Sequence, residues 1–292
     1  MKILLTGGTG FIGNYLNNNF IKDGHDVTVV TRNKINTSHN CITWEELASS
    51  IEKFDVIINL AGENISSRRW SNKQKNKILQ SRITTTEQII SYIKYAKTKP
   101  TLFINGSAIG IYGTSETEIF DEESYTQTND FLAYTVSKWE DTAIKANDYG
   151  VRTAFARFGV VIDPSGGALK KMLLPYYFYV GGKIGSGNQI LSWITLPDIY
   201  RLMLFIIENP SIKGAVNFTA PNPVTMNEMS KLLAKTLNKP NFFPVPTIII
   251  SSIFGEMSMV LLEGQNVIPK KALHSHFTFK YPTLEKALHD LL

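Results

Sequence analysis

A Rossmann-type, doubly wound parallel α/β sheet with a small C-terminal substrate lobe is the fold predicted for this chain of 292 residues. Three observations carry the prediction. An apolar run over residues 3–6 leads straight into Gly7, Gly8, Gly10 and Gly13 and then into a helical pattern. The first half alternates apolar, β-branched runs with amphipathic stretches, as parallel strands covered by helices on both faces require. After about Ile162 glycine and proline become frequent, and that alternation stops.

In order, the strands are expected over 3–6, 26–31, 42–44, 55–60, 101–105 and 152–162. The helices between them are expected over 11–22, 45–53, 72–96 and 130–149, the last capped by Asn129 or Asp130. The later half reads as a loop-rich lobe with helices over 197–208, 226–237, 247–262 and 283–292. The expected division is a nucleotide-binding domain over 1–240, with substrate-lobe segments from about 163, and a small unit over 241–292.

Composition narrows the function classes. Apolar residues at 43% and charged residues at 19% describe an ordinary globular chain. The net charge of +5 comes from scattered Lys and Arg, without the basic block of a nucleic-acid arm. Cys41 stands alone, so no intrachain disulfide forms, which suits a reducing cytoplasm. Glycines from position 7 leave no room for the apolar core of a signal peptide, and the greasy stretch 248–262, broken by Gly255 and Glu256, is too short and polar to span a bilayer. A cytoplasmic protein with a small-molecule substrate, no nucleic-acid or membrane partner and no metal is expected; a homodimer is compatible with such a chain. The histidines show no metal-ligand spacing.

The glycine turn is the first chemical signal. Gly7, Gly10 and Gly13 are spaced G-x-x-G-x-x-G between a strand and a helix, where backbone N–H groups and the helix N-terminus cradle a dinucleotide pyrophosphate. Thr6, Gly7, Gly8, Thr9, Gly10, Phe11, Ile12 and Gly13 are therefore cofactor-binding candidates. The end of the second strand selects the cofactor. NAD sites carry an acid there for the ribose hydroxyl. This chain has Thr31-Arg32-Asn33-Lys34 instead. A guanidinium at Arg32 would pair with a 2′-phosphate, so NADP(H) is expected in preference to NAD(H). Leu60, Ala61 and Gly62, small residues after the next central strand, would pass the adenine side of the cofactor.

The second signal is Tyr134-x-x-x-Lys138. The i,i+4 spacing sets both side chains on one face of the expected helix. A free tyrosine, with a pKa of about 10, is a poor acid or base at neutral pH. A neighbouring ammonium stabilises its phenolate, and the same lysine can reach a cofactor ribose. Ser107, just past the strand 101–105, would orient the substrate oxygen. Tyr134, Lys138 and Ser107 are the catalytic candidates. Arg157 reads as a structural ion-pair residue more than a substrate contact.

The order Gly-x-x-Gly-x-x-Gly, Asn59-Leu-Ala-Gly, Ser107 with Tyr112-Gly113, then Tyr134-x-x-x-Lys138 resembles the extended short-chain dehydrogenase/reductases of the NAD-dependent epimerase/dehydratase family. Arg69-Trp70, Ser81-Arg82-Ile-Thr-Thr-Thr86, Gly166-Gly-Ala-Leu-Lys-Lys-Met172, Gly181 to Gln189, Ser192-Trp-Ile194 and Asn217 to Pro223 resemble its atypical "epimerase family protein" subgroup. The tail from about Phe242 resembles that subgroup's small C-terminal domain of unknown function. The likeness covers the whole chain. Two departures stand out: many subgroup members lack the Tyr-x-x-x-Lys pair, and Thr195 stands where they carry His. One extra residue also separates Ser107 from Tyr112-Gly113. The resemblance implies an NADP(H)-dependent oxidoreductase or epimerase acting on a small carbonyl or sugar-type substrate. Trp70 and Arg82 would line the cleft or else cap and coat the long helix, and Gln189 and Trp193 would belong to the substrate lobe. A nucleotide-sugar epimerase, with Lys170, Lys171 and Lys183 as a diphosphate clamp, and an NADPH-binding sensor or scaffold are the alternatives.

Overall fold

The computed structural model describes residues 1–33, 40–126 and 129–292. The first half runs β1 (Lys2–Thr6), α1 (Phe11–Lys22), β2 (Asp26–Thr31), β3 (Cys41–Thr43), α2 (Trp44–Ser49), β4 (Val56–Asn59), α3 (Asn72–Tyr95) and β5 (Leu102–Ala108). A 3₁₀ turn (Ile109–Tyr112), β6 (Ile119–Phe120), α4 (Phe131–Ala143) and β7 (Arg152–Phe158) follow. Then come β8 (Val160–Asp163), α5 (Gly167–Tyr177), β9 (Ile190–Leu191), β10 (Trp193–Thr195), α6 (Leu196–Glu208), β11 (Gly214–Phe218), β12 (Val224–Thr225) and α7 (Met226–Leu237). The C-terminal part holds α8 (Thr247–Phe254), α9 (Met259–Leu262), β13 (Asn266–Val267), α10 (Lys270–His274) and α11 (Leu284–Leu291).

Seven parallel strands form a Rossmann-type sheet in the order β11-β7-β5-β4-β1-β2-β3. Side-chain alternation divides the core in two. Ile3, Leu5, Val29, Ile58 and Ile104 pack on α1 and α6, while Leu4, Val30, Ile57 and Phe103 pack on α2 and α3. The chain leaves β1 toward β2 and later returns to β4 on the other side. A crevice therefore opens at the C-terminal ends of β1 and β4, where such sheets take their ligands.

The second half departs from the sequence reading in three places. Residues 196–218 return to the main sheet: α6 covers it and β11 extends it beside β7. The run Gly-Ala-Val-Asn-Phe is short and only partly β-branched, so it carries little local strand signal. A helix, α5, forms over the Gly- and Pro-rich stretch despite Pro175 inside it. Pro175 cannot donate to the Lys171 carbonyl, so the helix forfeits one bond there and ends two residues later, at Tyr177. The stretch 247–262 is not one helix; it breaks at Gly255, whose φ is +59°.

The C-terminal residues build no core of their own. Phe277 and Phe279 join the main core, and Tyr281, Leu284 and Leu288 join Leu169, Trp193 and Leu233 in the lobe. Residues 263–271 instead strap the loop after β5. β13 pairs with β6, Ser115 N–H donates to Gly264 O at 3.1 Å, and Lys270 meets Asp121 at 3.0 Å. Asp198, fully buried at the start of α6, fixes the next segment by accepting the N–H groups of Lys280 (2.7 Å) and Tyr281 (2.9 Å). Asp198→Ala leaves both donors without an acceptor and is expected to destabilise the fold by about 2–5 kcal/mol, read by urea denaturation. A change below about 0.5 kcal/mol would show that this tether is not a structural requirement.

Candidate active site

The glycine turn has the features of a phosphate cradle. Gly7 has φ +70°, and a Cβ on it would lie 2.6 Å from the Leu60 carbonyl oxygen. A Cβ on Gly13 would run into the Gly7 carbonyl, so only glycine lets α1 start this close to β1. Gly10 caps α1 without a side-chain bond, and the first turn holds no acid. Its N–H groups and the positive end of its dipole are therefore open to an anion beside the exposed Thr9 and Gly10. The Phe11 side chain turns toward the start of α5. Its ring packs against Gly166 and Gly167, where a Cβ would come within 2.6 and 2.9 Å, and so bolts the turn before α5 to the cradle.

Thr6 faces inward. Its hydroxyl donates to Asn59 Oδ1 at 2.6 Å and accepts Ala61 N–H at 3.2 Å. Asn59 Nδ2 donates to Asn105 Oδ1 (2.7 Å) and Thr86 Oγ1 (2.9 Å), and Trp139 Nε1 donates to the same threonine oxygen at 3.0 Å. Thr6, Asn59, Asn105 and Thr86 are fully buried. This network clamps the ends of β1, β4 and β5 to α3 and α4, and sets the path of Leu60, Ala61 and Gly62.

Arg32 is exposed just past β2; Lys34 and His39 lie outside the described residues. Glu63 is nearby, its carboxyl held below the usual range by Lys77 at 3.0 Å, with Gln74 and the Arg32 charge adding to the effect. Arg82 and Ser81 brace this loop. Arg82 Nη1 donates to Glu63 O (3.1 Å) and Ile78 O (3.0 Å) beneath Gly62, its guanidinium lies over the Trp139 ring, and burial brings its pKa down to about 10. Ser81 Oγ accepts Glu63 N–H at 2.9 Å. Trp70 Nε1 donates to Ile65 O, and its ring meets Phe131 edge-on at 5.2 Å. Lys171 reaches Ser66 Oγ (3.4 Å), joining the loop after β4 to α5, and Lys75 at the start of α3 reaches Glu256 (2.6 Å) in the C-terminal part.

Two expected substrate residues belong to the lobe's interior. Trp193 is fully buried and donates to Asn222 O. Gln189 is buried, and its amide donates to Ile184 O and Leu261 O, both at 3.0 Å. Their polar N–H groups are engaged by the protein.

The catalytic candidates lie at the end of β5 and on α4. On α4, Ala133, Val136, Trp139, Glu140 and Ala143 are buried and form the inner arc. Tyr134, Lys138 and Asp141 are exposed on the opposite arc. Lys138 Nζ lies 5.7 Å from the Tyr134 ring centroid and 3.5 Å from Asp141 Oδ2. The i,i+4 pair shares one solvent-exposed face, as the spacing requires. Ser107 is buried at the end of β5, and its hydroxyl donates to Glu140 Oε1 at 2.5 Å.

Glu140, which the sequence reading did not single out, organises this inner side. Arg157 on β7 grips it through Nε–Oε1 and Nη2–Oε2 bonds, each 2.8 Å, with both side chains buried. Burial alone would push the Arg157 pKa down; the Glu140 carboxylate outweighs it and raises it. Arg157 Nη1 donates to the Tyr112 hydroxyl at 2.8 Å, and that hydroxyl donates to Asn217 Oδ1 at 2.8 Å. Asn217 Nδ2 donates to Ile268 O, and its backbone N–H to Glu122, which also accepts Lys271 N–H. The relay runs from Ser107 to the C-terminal strap. The sequence signal for it was an acid on α4 facing the Arg157 strand, visible only once the buried arc of α4 is known.

Comparison with known proteins agrees with this architecture. The model of the NAD dependent epimerase/dehydratase family matches residues 3–218, and that of a domain of unknown function, DUF1731, matches 245–291. "Epimerase family protein YfhF" of Bacillus subtilis is 42% identical over 100% of this chain and 98% of its own length. The crystal structure of human epimerase family protein SDR39U1 with NADPH is 35% identical, with a TM-score of 0.94 over 100% of this chain and 99% of that one. A Thermotoga maritima UDP-glucose 4-epimerase with UDP-glucose, 20% identical, covering 100% of this chain and 97% of that one, has a TM-score of 0.80 and shares the fold.

Tyr134→Phe is expected to lower NADPH-dependent turnover of a carbonyl panel by about 10²-fold or more, the usual contribution of a general acid, while sparing NADPH binding. Turnover retained within about threefold would remove Tyr134 from the mechanism.

Proposed function

The chain belongs to the NAD-dependent epimerase/dehydratase family, and from that premise we propose an NADP(H)-dependent oxidoreductase or epimerase-like enzyme for a small carbonyl or sugar-type substrate. The observation that carries the cofactor is the β1–α1 cradle: an uncapped, acid-free helix N-terminus behind two glycines that admit no Cβ, with exposed Arg32 at the end of the next strand. These features fit a dinucleotide whose ribose bears a phosphate. The backbone N–H groups around Gly8–Gly13 would hold the pyrophosphate and Arg32 the 2′-phosphate. Leu60, Ala61 and Gly62 would lie along the adenosine half. The bound cofactor supplies or accepts hydride. The chain's own work is to fix that edge rigidly through Thr6, Asn59 and Asn105, and to close the site against water with the loop after β4, held to the lobe by Lys171–Ser66, and with the start of α3, held by Lys75–Glu256. The SDR39U1 neighbour, crystallised with NADPH, supports the choice of cofactor.

In this proposal Tyr134 would be the general acid/base and Lys138 its ribose-binding partner, both exposed on one face of α4. The Ser107 hydroxyl, engaged by Glu140, favours a second reading: an NADPH-binding sensor or scaffold with little turnover. A catalyst oxidises NADPH with some member of a carbonyl and nucleotide-sugar panel; a sensor binds NADPH and changes its assembly or partner affinity instead. The nucleotide-sugar epimerase alternative has weaker support, since Lys171 and Lys183 are turned to Ser66 and the Ser186 carbonyl.

Arg32→Ala is expected to weaken NADPH binding by about 10- to 100-fold, the loss of a charge-assisted bond, and to leave NADH binding unchanged, both followed by fluorescence titration. Unchanged NADPH affinity would remove Arg32 from the 2′-phosphate site.

A further inference from the structure

The apolar stretch that is too short to cross a bilayer lies on the surface of the lobe. Phe242 and Ile248 are each 78% exposed, and Phe243 and Ile249 beside them are also exposed. The end of α5 and the residues after it add Leu174, Tyr177, Phe178 (74% exposed), Tyr179 and Val180. The two segments are zipped together. Phe243 N–H donates to Gly181 O at 3.2 Å, Val245 N–H to Lys183 O at 2.8 Å, and Gly185 N–H to Val245 O at 2.9 Å. The apolar side chains therefore share one knob, on the order of several hundred Å², at or above the largest apolar patch of an ordinary monomer. Tyr179 holds φ +62°, a backbone conformation unfavourable to tyrosine, and the Lys239 ammonium covers its ring at 3.7 Å.

The two chain segments that build this knob carry charge of one sign. From residue 164 to 197 and from 229 to 255 the chain contains no Asp and no Glu, while Lys170, Lys171, Lys183, Lys231, Lys235 and Lys239 stand in those segments. Among these, Lys235 is neutralised by Glu285. A second copy docked knob to knob would set these lysines against their own counterparts. The side chains project from the end of α5, the start of α8 and the segments beside them. We propose that this face of the lobe docks peripherally on an anionic lipid bilayer, with Phe178, Phe242 and Ile248 entering the interfacial zone and Lys170 and Lys239 meeting the headgroups. The assignment is independent of the cofactor reading, since none of these residues belongs to the cradle.

The test is co-sedimentation of the full chain with vesicles of phosphatidylcholine containing about one-third phosphatidylglycerol, against phosphatidylcholine alone. Binding to the anionic vesicles is expected to exceed binding to the neutral ones by about tenfold, to fall in high salt, and to drop about tenfold again in F242S/I248S and in K239E. Thermal melts check that both variants remain folded. Absence of binding to the anionic vesicles overturns the proposal. So does equal binding to both vesicle types, or a solution dimer of the parent chain that F242S/I248S dissociates.

Discussion

The bidentate ion pair between Glu140 and Arg157 is the constraint on which the rest of the site depends. Two charges this deeply buried are tolerated only when each answers the other and their remaining bonding positions are filled. Here they are filled by Ser107 from β5 and Tyr112 from the 3₁₀ turn after it, and Tyr112 in turn holds Asn217 on β11. The pair thus joins three parallel strands to the helix that covers them. It also sets the rotation of α4. With Glu140 turned to the sheet, a residue two positions earlier points about 200° away, so Lys138 faces outward, and Tyr134 one turn before it does too.

That geometry explains which parts of the fold and site were legible in the sequence. The glycine turn, the apolar strands and the Asp130 cap are local signals, and each acts within a few residues of where it is written. The i,i+4 spacing of Tyr134 and Lys138 is local as well, but it says only that the two share a face. Which face is decided by Glu140 finding Arg157 on a strand seventeen positions on, and no helical spacing carries that information. The same holds for Thr6, Gln189 and Trp193. Their residue types suit a ligand site, yet each has a distant protein partner that claims its polar atoms. The strand β11 was missed for a related reason: its pairing with β7 and the Glu122 bond to Asn217 hold a sequence with weak strand preference of its own.

The two ends of the site differ in construction. At the cofactor end, buried amide and hydroxyl groups lock the strand ends, so the cradle is preformed and presents backbone N–H groups to an anion. At the other end, the loop after β5 has little regular structure and is held by the C-terminal segment through β13, Lys270 and Glu122. The C-terminal unit is therefore part of the site's frame, reaching Ser107 through Asn217, Tyr112 and Arg157 without forming a core of its own.

The central claim is that one buried pair orients α4 and binds this frame together. A double-mutant cycle on Glu140→Ala and Arg157→Ala, read by chemical denaturation, tests it most directly. Each single change strands a buried charge and should cost about 3–5 kcal/mol, while the double variant should cost clearly less than their sum, a coupling of about 2 kcal/mol or more. Additive losses of about 1 kcal/mol each would contradict the account, because α4 would then owe its orientation to packing alone.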